Sequence, residues 1–389
     1  MKILAVDQYS EMGGAQRCLV EAVEGFAARG WDVRAAVPQS NPDGGALTRA
    51  LAPFCTEIRA LACGPFASGD KSGGDILRFA WQLPRQVARI ASMARDCDVV
   101  YVNGPRLLPA AALGHAGRPL IHHVHWMVPQ QKAAALARAA MRRSSAWAIV
   151  ASHAAARWLE GAVEPGRITT VYNGIAGFGA SPRQREEVRR IALLGRLSPE
   201  KGPLEFVRAA KLVSERVGGL RFTVCGGPVF SKAAGDGENY IAMLRAEAAG
   251  APVEFSGWTE DVGALLSRTD LLVVPSDATD HAPRVILEAF AAGVPVLATA
   301  VGAIPELIEH GVNGLLVRDR TPETLAQAIV SAASQPDRLN TLAARAFERW
   351  RERYTLRRFQ SEVCDAVEGV SRRHHQRNPL ASAGANAAA

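Results

Sequence analysis

A chain of 389 residues that is 48% hydrophobic and 21% charged is too long for one ordinary core; it is neither disordered nor fibrous in composition, and two domains are the first expectation. Its formal charge of +7 sits mostly in the first half: residues 1–180 hold 19 Lys or Arg against 13 Asp or Glu, and no acid occurs between Asp98 and Glu160. No apolar run approaches the roughly 18 residues of a membrane span, and the six scattered cysteines show neither a C-x-x-C pair nor metal-ligand spacing, which points to reduced thiols, a cytoplasmic protein and no metal site.

The chain opens on Lys2–Asp7, an apolar run too short for a secretory signal and closed by an acid, so it reads as a first buried strand. A loop with Gly13-Gly14 and a helix follow, then strands at Val33–Val37, Val99–Val102, Leu120–His125 and Trp147–Ala151. Arg78, Arg85, Arg89 and Arg95 with Phe79, Trp81 and Ile90 fit either a core helix or an amphipathic surface helix. The acid-free stretch carrying Arg106, Arg118, Lys132, Arg138, Arg142, Arg143 and Arg157 fits a solvated basic face or a surface that meets an anionic lipid or acceptor. Nucleic acid is not expected, because no basic motif is interleaved with aromatics. In Ile121-His122-His123-Val124-His125, strand alternation puts His123 and His125 on one face and His122 on the other. No third ligand accompanies them, so zinc is not expected, and His123 reads as a buried, hydrogen-bonded core residue.

The second half repeats the pattern with strands at Arg190–Leu194, Arg221–Cys225, Val253–Phe255, Leu271–Val274 and Pro295–Ala298. Short apolar runs alternating with helical patterns imply an α/β class with parallel sheets covered on both faces. Both halves open with a strand, a glycine-bearing loop and a helix, which suggests two Rossmann-like doubly wound domains facing across a cleft. The expected division is 1–175, a Gly/Ser/Pro-rich linker at 176–189, a second domain at 190–345, C-terminal helices at 346–372 with a return to the first domain as one arrangement, and a disordered tail at 373–389.

Open α/β sheets bind ligands at the carboxyl ends of their strands, so the loops there are the places to look for chemistry. After Leu194 comes Gly195-Arg196-Leu-Ser-Pro-Glu-Lys201-Gly202, where two cations flank a short loop and could offset a diphosphate without a metal. After Val274, Pro283 is expected at the first position of a helix that Gly293 ends. The positive end of such a helix suits a phosphate, and Glu288, one turn in, could accept hydrogen bonds from hydroxyls. Pro283 withholds one N–H, and Arg284 behind it is expected to supply a compensating cation to phosphate or sugar.

The segment from Val274 to Val317 resembles the signature of family 4 retaining glycosyltransferases of GT-B fold, which has two glutamates separated by seven residues. The resemblance implies that Glu288 binds the donor ribose and that the first acidic position, Asp280 here, contacts the transferred sugar. His281-Ala282-Pro283 stands where the family has a Gly-Phe-Gly-like tripeptide, so the sugar is left open, and His281 joins Arg284 as a substrate-binding candidate. The family's phosphate clamp corresponds to Arg196 and Lys201, its amino-terminal phosphate- and acceptor-facing loop to Gly13 and Gly14, and its active-site histidine to His125.

The activity implied is metal-independent, retaining transfer of a hexose-type sugar from a nucleotide diphosphate sugar to a glycan, lipid-linked or other hydroxyl acceptor, in cell-surface polysaccharide or glycolipid synthesis. No cofactor beyond the donor is implied. The expected location is cytoplasmic, with peripheral attachment to an anionic membrane surface as the one membrane contact. Two other readings share the architecture: a nucleotide-sugar epimerase or phosphorylase, and a non-catalytic nucleotide-sugar-binding subunit.

Overall fold

The computed structural model describes residues 1–39, 45–64, 73–125, 131–179, 181–228, 236–277 and 283–377. They form two compact units: Met1–Asn173 with the chain from Leu356 onward, and Gly174–Thr355.

The first unit is built on a parallel sheet of β1 (Lys2–Val6), β2 (Asp32–Val37), β3 (Glu57–Ala60), β4 (Val99–Val102), β5 (Leu120–Val124), β6 (Trp147–Val150) and β7 (Ile168–Thr170), in the order β3-β2-β1-β4-β5-β6-β7. Because strand side chains alternate, Leu4, Val6, Val100 and Val102 enter one core, whereas Ile3, Ala5, Val99 and Tyr101 enter the other. Burial on both faces explains why these strands read as unbroken apolar runs. The chain runs outward from β1 to β3 and then returns to β4, so the sheet's switch point lies at the carboxyl ends of β1 and β4.

Helix Gly14–Ala28 covers one face together with helix Leu356–Arg377, whose Phe359, Val363, Cys364, Val367 and Val370 complete that core. The two helices are drawn close at Gly25, where a β-carbon would lie 2.9 Å from Cβ of Gln360. Residues 373–377, expected to open a disordered tail, are the last turn of this helix, and 378–389 lie outside the described residues. On the other face, helix Gly73–Ala94 packs on helix Leu108–Gly114. It buries Gln82, Gln86, Ile90 and Met93 and leaves Leu77 and Trp81 exposed, so the core and surface readings of this stretch each describe one side of it.

The second unit holds β8 (Arg190–Leu194), β9 (Arg221–Cys225), β10 (Val253–Gly257), β11 (Leu271–Val274), β12 (Val296–Thr299) and β13 (Leu315–Val317), all parallel, in the order β10-β9-β8-β11-β12-β13. Its switch point is at β8 and β11. Helices Pro203–Ser214 and Pro322–Ala333 pack together on one face, and Arg284–Ala291 packs on Pro336–Arg353 on the other.

The stretch 176–189 is not a free tether. Arg185 is 4% exposed, its guanidinium donates to the Gly293 carbonyl at 3.0 Å, and its backbone exchanges hydrogen bonds with the Asn340 side chain at 2.9 Å in each direction. Trp350 Nε1 also donates to the Ile175 carbonyl at 3.1 Å. The polar composition that suggests a linker is here spent on contacts with helix Pro336–Arg353. The helical end of the chain divides at Tyr354-Thr355: the helix before it belongs to the second unit and the helix after it to the first.

All six cysteines are free thiols. Among the described residues no helix is long and apolar enough to cross a membrane, and no group of three or more His, Cys, Asp or Glu could hold a metal ion.

Candidate functional site

In the first unit, the carboxyl ends of β1, β4 and β5 gather a buried polar network. Asp7, which closes β1, is fully buried and accepts hydrogen bonds from the Tyr9 backbone N–H at 2.7 Å, from Gln16 Nε2 at 3.1 Å to each oxygen, and from Asn103 Nδ2 at 2.6 Å. Burial pushes its carboxyl up to about 6, against the bonds from Asn103, Tyr9 and Gln16, which favour the charged form. Asn103 follows β4; its Nδ2 also donates to the Ala15 carbonyl at 3.1 Å, and its Oδ1 lies 2.7 Å from Nε2 of His125.

His125 stands one residue past β5, half-buried, with its ring centroid 4.0 Å from that of His123. His123 is enclosed and hydrogen-bonded to the Tyr101 hydroxyl, as expected of a core residue. His122, on the opposite face, donates from Nδ1 to the Val102 carbonyl at 3.1 Å if it carries its proton there. Burial holds His122 down to about 4 and His123 well below the ordinary histidine range, so both are neutral. Gly13 is the extended N-cap of helix Gly14–Ala28, and no side chain caps that helix end. A β-carbon on Gly13 would lie 3.0 Å from Gln16 Oε1, so Gly13 borders the Asp7 network through Gln16, as His125 does through Asn103, and Gly14 is the first residue of the helix.

In the second unit the corresponding end belongs to β8 and β11. Arg196 follows Gly195, its side chain 47% exposed and 3.5 Å from Glu200 Oε1, which also accepts from Ser198 Oγ at 2.6 Å. Pro199–Lys201 make a single 3-10 turn, and Gly202, with φ 70° and ψ 32°, reverses the chain into helix Pro203–Ser214. This basic loop is tied to the loop after β11 because the Asp277 N–H donates to the Glu200 carbonyl at 2.9 Å. Thr299 Oγ1 in turn donates to the Ser276 carbonyl at 2.5 Å.

Helix Arg284–Ala291 starts from Pro283, which is its N-cap at φ −67° and ψ 103° and not its first helical residue. The extended ψ places proline just outside the helix, and the missing N–H remains at the same end. Arg284 and Glu288 are one turn apart and half-buried, and Gly293 turns the chain into β12 with φ 64°. Asp280 and His281 lie outside the described residues. Arg196 and Lys201 thus lie on the loop after β8, which hydrogen-bonds to the loop after the adjacent β11, and Arg284 and Glu288 lie on the helix farther along the chain.

Two family models match this chain: Glycosyltransferase Family 4 over residues 12–176, and Glycosyl transferases group 1 over residues 188–335. The chain belongs to glycosyltransferase family 4. Its fold is GT-B: HepE of Anabaena, solved in complex with UDP-glucose, superposes with a TM-score of 0.79 at 24% identity, over 95% of this chain and 100% of that one. Among curated relatives, the D-inositol 3-phosphate glycosyltransferase of Actinosynnema mirum is 31% identical over 206 residues, 48% of each chain. That of Rhodococcus erythropolis is 32% identical over 197 residues, 47% of this chain and 44% of its own length. The chain therefore spans less than half the length of these two curated relatives.

Within this family 4 chain, sequence reasoning missed Asp7, Gln16, Asn103 and Glu200. A carboxylate ending an otherwise apolar first strand was the available signal for Asp7. Nothing local marks Asn103, whose side-chain partners are 96, 88 and 22 residues away.

Proposed function

We propose that this protein transfers a hexose-type sugar from a nucleotide diphosphate sugar to a hydroxyl acceptor, with retention at the anomeric carbon and without a metal or resident cofactor. The observation that supports the reading is the hydrogen bond from the Asp277 N–H to the Glu200 carbonyl, which links the loop after β8, carrying Arg196 and Lys201, to the loop after β11 that leads toward helix Arg284–Ala291. Cations and free helix N–H groups suit a diphosphate, and their stabilisation of a departing phosphate grows as its negative charge develops.

In this scheme the bond from the anomeric carbon to the donor phosphate oxygen breaks as the acceptor oxygen bonds to that carbon from the same side. The acceptor's proton passes to an oxygen of the leaving diphosphate, so no side chain serves as a nucleophile. Glu288 holds the ribose, Arg284 supplies a further cation, Asp280 and His125 are assigned to the sugar, and His281 to substrate binding. Gly13 and Gly14 are assigned to phosphate and acceptor. UDP-sugars are the first donors to test, because HepE was solved with UDP-glucose.

The acceptor is proposed to be a glycan or a lipid-linked hydroxyl of cell-surface polysaccharide or glycolipid synthesis, reached at a membrane from the cytoplasmic side. Helix Gly73–Ala94 supports a peripheral contact: Trp81 is 65% exposed, and the Arg85 guanidinium lies 3.9 Å over its ring. Aromatic and cationic groups together suit an anionic lipid surface.

A thermal-shift panel of nucleotide diphosphate sugars, followed by turnover with Arg196→Ala and Lys201→Ala, tests the reading. One donor should raise the melting temperature, and each variant should lose turnover. Two variants that turn over like the parent would overturn the clamp. A non-catalytic nucleotide-sugar-binding subunit is the second reading, favoured by Asp280 and His281-Ala282-Pro283; donor binding with neither transfer nor slow donor hydrolysis would select it.

A further inference from the structure

We propose that Asp7 and Asn103 are positioning residues that hold the His125 imidazole with a proton on Nε2. The inference rests on the reading above only in assigning His125 to the sugar.

The Asn103 amide has one orientation available. Its Nδ2 faces two acceptors, Asp7 Oδ2 at 2.6 Å and the Ala15 carbonyl at 3.1 Å. Turning the amide over would put its oxygen against both, acceptor on acceptor, inside a buried site. Oδ1 must therefore be the atom 2.7 Å from His125 Nε2, and only a donor can sit there. Nε2 therefore carries a proton, and a ring with a single N–H is held as the Nε2 tautomer.

Asp7 is the anchor of the chain. It collects donors from the Tyr9 backbone, Gln16 and Asn103, an arrangement that suits a carboxylate acceptor, and Gln16 carries the same network to the Gly13 end of helix Gly14–Ala28. A carboxylate hydrogen-bonded to an amide N–H polarises that amide, and the amide oxygen then accepts more strongly from the next donor in line. The result joins the ends of three neighbouring strands, β1, β4 and β5, through Asp7, Asn103 and His125. All three residues are fixed by strand ends, so the imidazole is held in angle as well as in tautomer.

The experiment is a long-range 1H–15N spectrum of the full chain with 15N-labelled histidine, the His125 signals being identified by their loss in His125→Gln. The expected result is a ring protonated on Nε2. Proton on Nδ1 alone, or a mixture of tautomers, overturns the proposal, and this readout needs no variant of Asp7 or Asn103 to fold.

Kinetics add a second readout. Asn103→Ala should lower kcat on the order of 10- to 100-fold while donor KM stays within about twofold, as loss of orientation does. The double variant with His125→Ala should be no slower than His125→Ala alone, because Asn103 acts through that ring. Multiplied effects, or an unchanged kcat in Asn103→Ala beside a slow His125→Ala, overturn the relay. If His125→Ala itself is as fast as the parent, the assignment of His125 to the sugar is what fails, and the tautomer measurement still decides the relay.

Discussion

Replacing Gly202 with alanine perturbs the point at which the basic loop meets the end of β11. Gly202 has φ 70°, and a β-carbon there would lie 2.2 Å from the Pro275 carbonyl oxygen and 3.0 Å from its carbon. Two costs follow. The left-handed conformation disfavours an alanine by about 1–2 kcal/mol. The clash is with backbone and cannot be relieved by a side-chain rotation, so it adds about 1–3 kcal/mol, typical of overpacking. Gly250 separates the two effects, because it has φ 81° and its β-carbon would meet nothing within 4 Å. Gly250→Ala should show only the first cost. For a unit of this size the Gly202→Ala loss corresponds to roughly 5–15 °C in melting temperature, followed by differential scanning calorimetry. Gly202→Ala should also weaken donor binding, since the turn it closes carries Lys201. If the two variants melt together, the tight approach of Gly202 to Pro275 does not hold this loop.

Three other outcomes follow from the structure. Arg185→Ala should destabilise by about 1–3 kcal/mol, because the Gly293 carbonyl loses a buried donor; an unchanged denaturation midpoint would mean that 176–189 is not held as described. Phe359→Ala should cost about 3–5 kcal/mol, as it empties a fully buried ring site in the first unit's core, and urea denaturation measures it. His122 is held down to about 4 from an ordinary 6.5, so the unfolded chain binds its proton first: the stability it contributes is present above 6.5 and lost as pH falls through 4. Over that window the loss is about 3 kcal/mol. Asp7, raised from 3.8 to about 6, acts in the opposite sense, its contribution being present below 3.8 and lost as pH rises through 6. His122→Gln removes only the first effect, so its denaturation midpoint should fall less than the parent's on acidification; identical pH profiles for the two would contradict the burial of a neutral His122.

Much of the architecture was written in local pattern. A parallel strand buried on both faces is an apolar run, so β4, β8, β9 and β11 begin and end where the residues predict. Proline and glycine punctuate through their own backbone restrictions, which is why helix Arg284–Ala291 could be bounded by Pro283 and Gly293 before any fold was known. The edge strands β3, β7 and β13 escaped because each is three or four residues long and only partly buried, leaving too few positions for either an apolar run or an alternation.

Other features depended on residues distant in the chain. The amphipathic pattern of Leu356–Arg377 says that the helix buries a stripe, but only the folded chain shows that it buries it beside Gly14–Ala28 in the first unit. The same holds for 176–189, whose polar composition suits a tether until Asn340 and Gly293 supply partners. At the candidate site, residue type and spacing singled out Arg196, Lys201 and Glu288, and the family resemblance singled out His125. The network of Asp7, Asn103 and His125 was beyond their reach, because spacing rules describe neighbours on one helix or strand, and this network joins the ends of three strands that only the sheet order brings side by side.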